Sequence, residues 1–288
     1  MNVLVTGSNG QLGLTLMNME KTPGLRFLYT DVRVSDGVSC LDITDSTSVC
    51  NFLSDNDIDV VLNFAAYTDV ERAEIEEDLA FRVNAEAVGC LAEAVKKTGA
   101  TLVHISTDYV FDGSAGVPYG EEAEPAPLSA YGRSKLAGER ALLASQCRLI
   151  LIRTSWLYSP YGKNFVKTII SRGAESGTLK VVSDQLGSPT FAEDLAGFII
   201  TLLTPDNIKK TGVYNYTDEG VCSWFELAGE ACALAGVECD VIPCKTGEYP
   251  VKAMRPAFSV LDKSKVKDTF GIIIPHWKDS LKRCIAML

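Results

Sequence analysis

The feature that most constrains this chain lies at its start. The apolar run Met1–Thr6 leads directly into Gly7-Ser8-Asn9-Gly10-Gln11-Leu12-Gly13, and Gly10–Met19 then reads as a helix. A glycine-rich turn between a buried strand and a helix suits a dinucleotide. Gly7 permits the tight turn, Gly10 allows close approach of backbone to a pyrophosphate, and Gly13 allows the helix to pack on the strand. The amides and dipole at the helix start then favour phosphate. The spacing is G-x-x-G-x-x-G, and glycines alone could mark an ordinary turn. Their place between strand and helix is what points to a dinucleotide.

The same alternation continues through the first half of the chain. Leu25–Asp31, Val60–Phe64, Thr101–Ser106 and Leu149–Thr154 read as buried strands, separated by helices at Ser46–Asp55, Asp78–Thr98 and Ser129–Leu143. In the long helix Ala87, Leu91, Ala94 and Val95 fall on one stripe, and Gly99 punctuates its end. Strands buried on both faces and alternating with helices imply an α/β fold with a doubly wound parallel sheet of Rossmann type. After Ser155 the rhythm changes, with a helix at Phe165–Ala174, a strand at Leu179–Val182 and a helix at Ser223–Ala235. The expected organisation is a dinucleotide-binding domain over 1–155 and a smaller, irregular α/β substrate domain over 156–288. Part of the second domain's chain is expected to return to the first. Trp224 and Phe225 read as core of that second domain.

Several functions are disfavoured. The formal net charge of −10 repels nucleic-acid phosphates. Without a run of about 18 apolar residues, no membrane span is expected. The start has neither a basic flank nor a leader-like stretch. Nine scattered cysteines without a C-x-x-C pair suit free thiols in a reducing cytoplasm, rather than a disulfide framework or a zinc site. His104 reads as a core histidine, and His276 has no evident partner, so no metal centre or histidine-based catalysis is expected.

Asp31 lies about 20 residues beyond the glycines, where a carboxylate suits the free ribose 2′-OH of NADH. Arg33 nearby suits the 2′-phosphate of NADPH, so either cofactor is open. Asp42 and Ile43 could hold the adenine edge and face, or Asp42 could simply cap a turn. Ala66, Tyr67 and Thr68 follow a strand and fall at the carboxyl edge of the sheet, where such folds bind ligands.

Tyr131 and Lys135 are one turn apart near a helix start. A phenol with its ordinary pKa near 10 is a weak acid at neutral pH, and a neighbouring ammonium is expected to lower it. Ten tyrosines and sixteen lysines give roughly half a Tyr-x-x-x-Lys by chance, so the spacing alone says little. Its place does more. The preceding strand ends on Ser106 and Thr107, where a hydroxyl can hold a carbonyl oxygen while the phenol protonates it.

Together these residues resemble the extended short-chain dehydrogenase/reductases, and the match runs through nearly the whole chain. It is carried by residues 7–13, by Asn63-Phe64-Ala65-Ala66-Tyr67-Thr68-Asp69-Val70 and by Ser106-Thr107-Asp108-Tyr109-Val110-Phe111-Asp112-Gly113. Residues 131–139, 153–158, 162–165, 184–190 and Arg255-Pro256 complete it. The resemblance implies NADPH- or NADH-dependent reduction of the 4-keto group of a dTDP-linked deoxysugar. By the same resemblance Thr107, Tyr131 and Lys135 form the catalytic group, with Lys135 also holding the nicotinamide ribose. Gly7, Gly10, Gln11, Leu12, Gly13, Asp31, Asp42, Ile43, Ala66, Tyr67 and Thr68 would hold the cofactor. Asp108, Trp156 and Arg255 would meet the nucleotide-sugar, Arg255 as partner of its diphosphate. A dehydratase would need a glutamate after Asp108, where Tyr109 stands. Another sugar-nucleotide 4-ketoreductase, a 4-epimerase, or a non-catalytic regulatory subunit resembling the methionine adenosyltransferase β subunit would be the alternatives. Some members of the family are dimers bridged by a metal on glutamates, one of them early in the first helix. Thr15 occupies that place, which argues against a metal bridge while leaving a homodimer open. Glu193 and Asp194 read as solvated residues opening a helix.

Overall fold

Strand side chains alternate between faces, and the first strand shows what that does here. Val3 and Val5 enter one apolar layer with Leu12, Leu16, Leu195 and Ile199, while Leu4 enters another with Val61, Leu91, Val95 and Leu102. The sheet is therefore covered on both sides. The computed structural model describes residues 1–20, 22–248 and 252–288.

The strands of the central sheet are β1 (Asn2–Thr6), β2 (Arg26–Asp31), β3 (Val38–Cys40), β4 (Val60–Asn63), β5 (Thr101–Thr107) and β6 (Arg148–Thr154). Shorter pairs follow: β7 (Leu157–Tyr158) with β10 (Thr190–Phe191), β8 (Thr178–Val182) with β13 (Asp240–Cys244), and β9 (Leu186–Gly187) with β12 (Cys222–Ser223). Late in the chain β11 (Gly212–Asn215) pairs parallel with β6 and completes a seven-stranded sheet. Its order is β11-β6-β5-β4-β1-β2-β3, with every neighbour parallel. The order turns back between β1 and β4, and a crevice opens there beyond the carboxyl ends of the strands.

The helices are α1 (Gln11–Asn18), α2 (Ser46–Asp55), α3 (Val70–Ala73), α4 (Glu77–Phe81), α5 (Ala87–Thr98) and α6 (Ala130–Ser145). Beyond them come α7 (Phe165–Ser176), α8 (Ala192–Leu202), α9 (Trp224–Leu234), α10 (Ser264–Phe270) and α11 (Trp277–Ile285). The helix expected over 78–98 is continuous but not uniform, because Arg82–Glu86 between α4 and α5 is π-helical. Such bulges recur at functional sites. This one carries the buried Asn84, whose amide nitrogen donates to Tyr67 O and to Ser134 Oγ, each at 3.0 Å. The helix, the Tyr67 loop and α6 are tied together through that single side chain.

Candidate active site

The crevice is a cleft of about 930 Å³. At one end stands the glycine turn. Gly7 has φ +66°, and a Cβ there would lie 2.5 Å from Ala65 N. A Cβ on Gly13 would lie 2.5 Å from Ser8 Cα, so this glycine keeps the helix against the turn and does not line the cleft. Helix α1 begins after Gly10 without a side-chain cap among the described residues. Its first amides, starting with Gln11 and Leu12 on the cleft wall, are left for an external acceptor.

Around the turn the expected cofactor residues fall into two groups. Asp31 lines the cleft and accepts Asn9 N and Arg33 N, each at 3.1 Å. Ile43 (3% exposed), Ala66, Tyr67 and Thr68 line the same wall. Asp42 reaches its rim, but its carboxylate accepts from Thr44 N at 2.9 Å and Thr44 Oγ1 at 2.8 Å. It closes a local turn, the simpler of the two roles expected for it. Tyr67 N donates to Asn84 Oδ1 at 2.9 Å, which fixes that stretch of rim.

The catalytic candidates converge on the middle of the cleft. Ser129 caps α6 by accepting Gly132 N at 3.1 Å, and Tyr131 and Lys135 follow on one face. Tyr131 stands beside Thr107 on the cleft wall. The Thr107 hydroxyl also contacts Asp108 Oδ1 at 3.1 Å. Burial raises the Tyr131 phenol above its ordinary value; the Thr107 contact pulls it down, while Asp108 and Tyr109 push it further up. The helical spacing leads one to expect Lys135 beside the phenol, lowering that value. Instead its amine donates to Ile105 O at 2.7 Å and meets His104 Nε2 at 3.3 Å. Burial draws the amine itself down to about 8, opposed by Glu139. A partly discharged amine aimed at β5 is a poor source of field on the phenol.

At the far end Trp156 has φ +49°, a left-handed backbone that a bulky residue adopts only when held there. Ser155 Oγ donates to Ser188 O at 2.6 Å beside it. The Trp156 indole stacks on Trp224 at 3.6 Å between centroids and 12° between planes. As the sequence suggests, Trp224 and Phe225 both pack against the core cluster around Ile169 and Val181, and Trp224 faces the cleft as well. An aromatic just inside an N-capped helix looks the same in either role, so no local signal separates them. Lys163 and Tyr109 also line the cleft, beyond the ligand-binding residues to which the sequence points. Tyr109 packs edge-on against Tyr131 at 5.6 Å, on the site a dehydratase would give to its second carboxylate. Asp108 is 1% exposed, and its Oδ2 has no partner among the described residues. Burial pushes its carboxyl up to about 6.

Two expectations require correction. Arg255, expected at a diphosphate, is outside the cleft lining; it pairs with Glu71 at 2.9 Å and reaches Tyr109. Glu71 also accepts Lys252 N at 2.9 Å, so the local chain path directs the guanidinium to that carboxylate. Glu193 and Asp194 are not merely solvated. Arg283 binds both, and Ser280 Oγ donates to Asp194 Oδ2 at 2.6 Å. Among the described residues no cluster of three or more metal-type ligands occurs.

The residues present suit a dinucleotide: an uncapped helix start behind a glycine turn, a carboxylate one strand away, and orphaned polar atoms of Ser106 and Asp108 beyond them. Comparison with known proteins agrees with that reading. The model of the RmlD substrate binding domain matches residues 1–288. A dTDP-4-dehydrorhamnose reductase of Sinorhizobium fredii is 37% identical, covering 99% of this chain and 97% of that protein. The spore coat polysaccharide biosynthesis protein SpsK of Bacillus subtilis is also 37% identical, over 97% and 95%. Among solved structures, a dTDP-4-dehydrorhamnose reductase from Clostridium acetobutylicum has a TM-score of 0.93 at 41% identity, covering 100% and 99% of the two chains. One from Bacillus anthracis, in complex with NADP, has 0.92 at 36%, with the same coverage. A dTDP-glucose 4,6-dehydratase of Bacillus anthracis shares the fold at 20% identity and a TM-score of 0.84. With its full length matched and its dinucleotide turn, Tyr131 and Thr107 gathered in one cleft, this chain belongs to the RmlD substrate binding domain family.

Proposed function

We propose that this protein reduces the 4-keto group of a dTDP-linked deoxysugar, converting dTDP-4-dehydrorhamnose to dTDP-L-rhamnose with NADPH or NADH. The observation that carries the reading is the placing of Tyr131 beside Thr107 in the same cleft as the glycine turn. A reduced nicotinamide supplies the hydride when bound. The first turn of α1 holds the pyrophosphate, with Gly7, Gly10, Gln11 and Leu12 at the contact and Gly13 supporting it. Asp31 faces the adenosine ribose, while Ile43, Ala66, Tyr67 and Thr68 line its path. Thr107 holds the substrate carbonyl oxygen, and Tyr131 gives that oxygen its phenolic proton. Burial suits Tyr131 to this direction of reaction, since a raised pKa keeps the phenol protonated until the oxygen becomes basic. Lys135 holds the ribose next to the nicotinamide. Asp108 and the Trp156–Trp224 wall meet the sugar nucleotide.

The test is cofactor oxidation with dTDP-4-dehydrorhamnose, for the native protein and for Tyr131→Phe. The native protein should turn over, and the variant should lose about 10²–10⁴-fold in kcat while binding the cofactor as before. A variant that keeps most of its kcat would remove Tyr131 from the role of acid. Turnover of a different 4-keto sugar nucleotide alone would overturn the substrate and leave the chemistry.

A further inference from the structure

Lys135 ends a chain of buried hydrogen bonds that the reaction described above does not use. Thr6 Oγ1 on β1 takes Ala65 N at 3.4 Å, so its own hydrogen is free for Asn63 Oδ1 on β4, 2.6 Å away. That orientation turns the Asn63 amide nitrogen towards His104 Nδ1 on β5 at 2.9 Å. His104 Nε2 then faces Lys135 Nζ on α6 at 3.3 Å. Asn63 and His104 are 1% and 0% exposed, so water does not mediate these contacts.

The direction of this chain is chemically constrained. An amide nitrogen can only donate, so a neutral imidazole facing it accepts at Nδ1 and carries its hydrogen on Nε2. Nε2–H needs an acceptor, and a lysine offers one only as the free amine. An ammonium offers hydrogens alone. To meet an ammonium, the imidazole must present a bare Nε2 and move its hydrogen to Nδ1, and the Asn63 amide must turn its oxygen to His104. Leaving the chain unreversed would place two donors head to head in the interior, at about 1–3 kcal/mol.

We propose that His104 is a positioning residue for the reduction: with Asn63 and Thr6 it forms a hydrogen-bond chain whose direction reverses with the charge on Lys135, so that amine, imidazole and amide titrate as one unit. The proposal rests on the reading of Lys135 as a member of the catalytic group. The other groups around the amine are Glu139 and Tyr131 on its own helix. Glu139 is held by Arg153 of β6 at 2.7 Å, and Tyr131 is neutral in the working range. Burial and the amine beside it keep His104 itself far below its ordinary value, so the ring changes tautomer rather than charge. The chain ends on Thr6, next to Gly7. The proton state of the lysine is thereby felt at the turn that receives the cofactor.

The protein has two histidines, and His276 is not enclosed as His104 is, so nitrogen-15 NMR of protein labelled only in histidine can separate the two rings. As pH rises past about 8, the free protein should show His104 changing from the Nδ1–H to the Nε2–H tautomer. Lys135→Met should abolish the change and leave one tautomer. Asn63→Asp, which can only accept from the ring, should hold His104 as Nδ1–H throughout and move the basic limb of kcat up by about one pH unit or more. A His104 ring that keeps one tautomer across the native titration, or a transition that survives Lys135→Met, overturns the proposal. These spectra need neither substrate nor cofactor, so an error in the assigned substrate would leave them unaffected. Reduction that proceeds while His104 never changes tautomer would sink this proposal alone.

Discussion

Asp108 sits at the base of the cleft, and its replacement by asparagine isolates the effect of burying a carboxylate there. The side chain is 1% exposed, with Oδ1 on Thr107 and Oδ2 without a partner among the described residues. Burial raises its pKa from 3.8 to about 6. A raised carboxyl binds its proton more tightly in the folded than in the unfolded chain. Its contribution to stability is therefore full below pH 3.8 and is lost as pH rises through 6. A displacement of that size corresponds to about 3 kcal/mol lost across the window. Between pH 5 and pH 8 the remaining loss is about 1.4 kcal/mol. The Asp108→Asn variant has no such titration, although its amide adds an unsatisfied donor with a roughly constant cost of about 1–3 kcal/mol. The informative quantity is thus the change in the difference between variant and native protein. Urea unfolding at pH 5 and pH 8 should show the variant gaining about 1.4 kcal/mol relative to native protein at the higher pH. A difference that stays constant within about 0.5 kcal/mol would refute the reasoning, since it would mean that Asp108 ionises in the fold as it does in water.

Further expectations concern the cleft and the groups that support it. Glu139→Ala should destabilise the fold by about 3–5 kcal/mol in urea unfolding, because it strands Arg153, 4% exposed, without its carboxylate. Trp224→Ala should raise KM for the sugar nucleotide more than it lowers kcat, since it removes half of the Trp156 stack and no proton donor; an unchanged KM would place the sugar elsewhere. Gly7→Ala should weaken cofactor binding by at least about tenfold in a fluorescence titration, because its Cβ would meet Ala65 N at 2.5 Å on a left-handed backbone.

Legibility from sequence depends on where the signal is local. Strands β1, β4, β5 and β6 announce themselves because buried strands need largely apolar runs, whereas β2, with only Thr30 fully buried, is a half-buried strand that Phe27, Leu28 and Tyr29 make readable. Strand β3 has only Val38 buried and is a short edge. Strand β11 opens on Gly212 and becomes a strand only by pairing with β6, a partner about sixty residues earlier in the chain. Within the site, Thr107, Tyr131 and the glycine turn are legible because each sits at a strand end or helix start. The aim of a side chain is not. Lys135 is directed to Ile105 O, and Arg255 to Glu71, by partners that sequence spacing does not reveal. The cleft-facing side of Trp224 is illegible for the same reason, its stacking partner lying far away in the chain.

The π-helical segment at Arg82–Glu86 has a consequence for how this chain can change length. An α-helix turns by about 100° per residue, and a π segment accommodates an extra residue without rotating the next turns by that amount. The stripe of Val88, Leu91 and Val95 on the sheet keeps its phase across the segment, while Asn84, inside it, is set to brace Tyr67. Deleting one residue here would regularise the helix and leave the buried stripe in phase, but it would remove the widened turn from which Asn84 reaches Tyr67. A locally less regular helix is therefore the condition for one continuous rod to serve both the interior of the protein and the rim of its cleft.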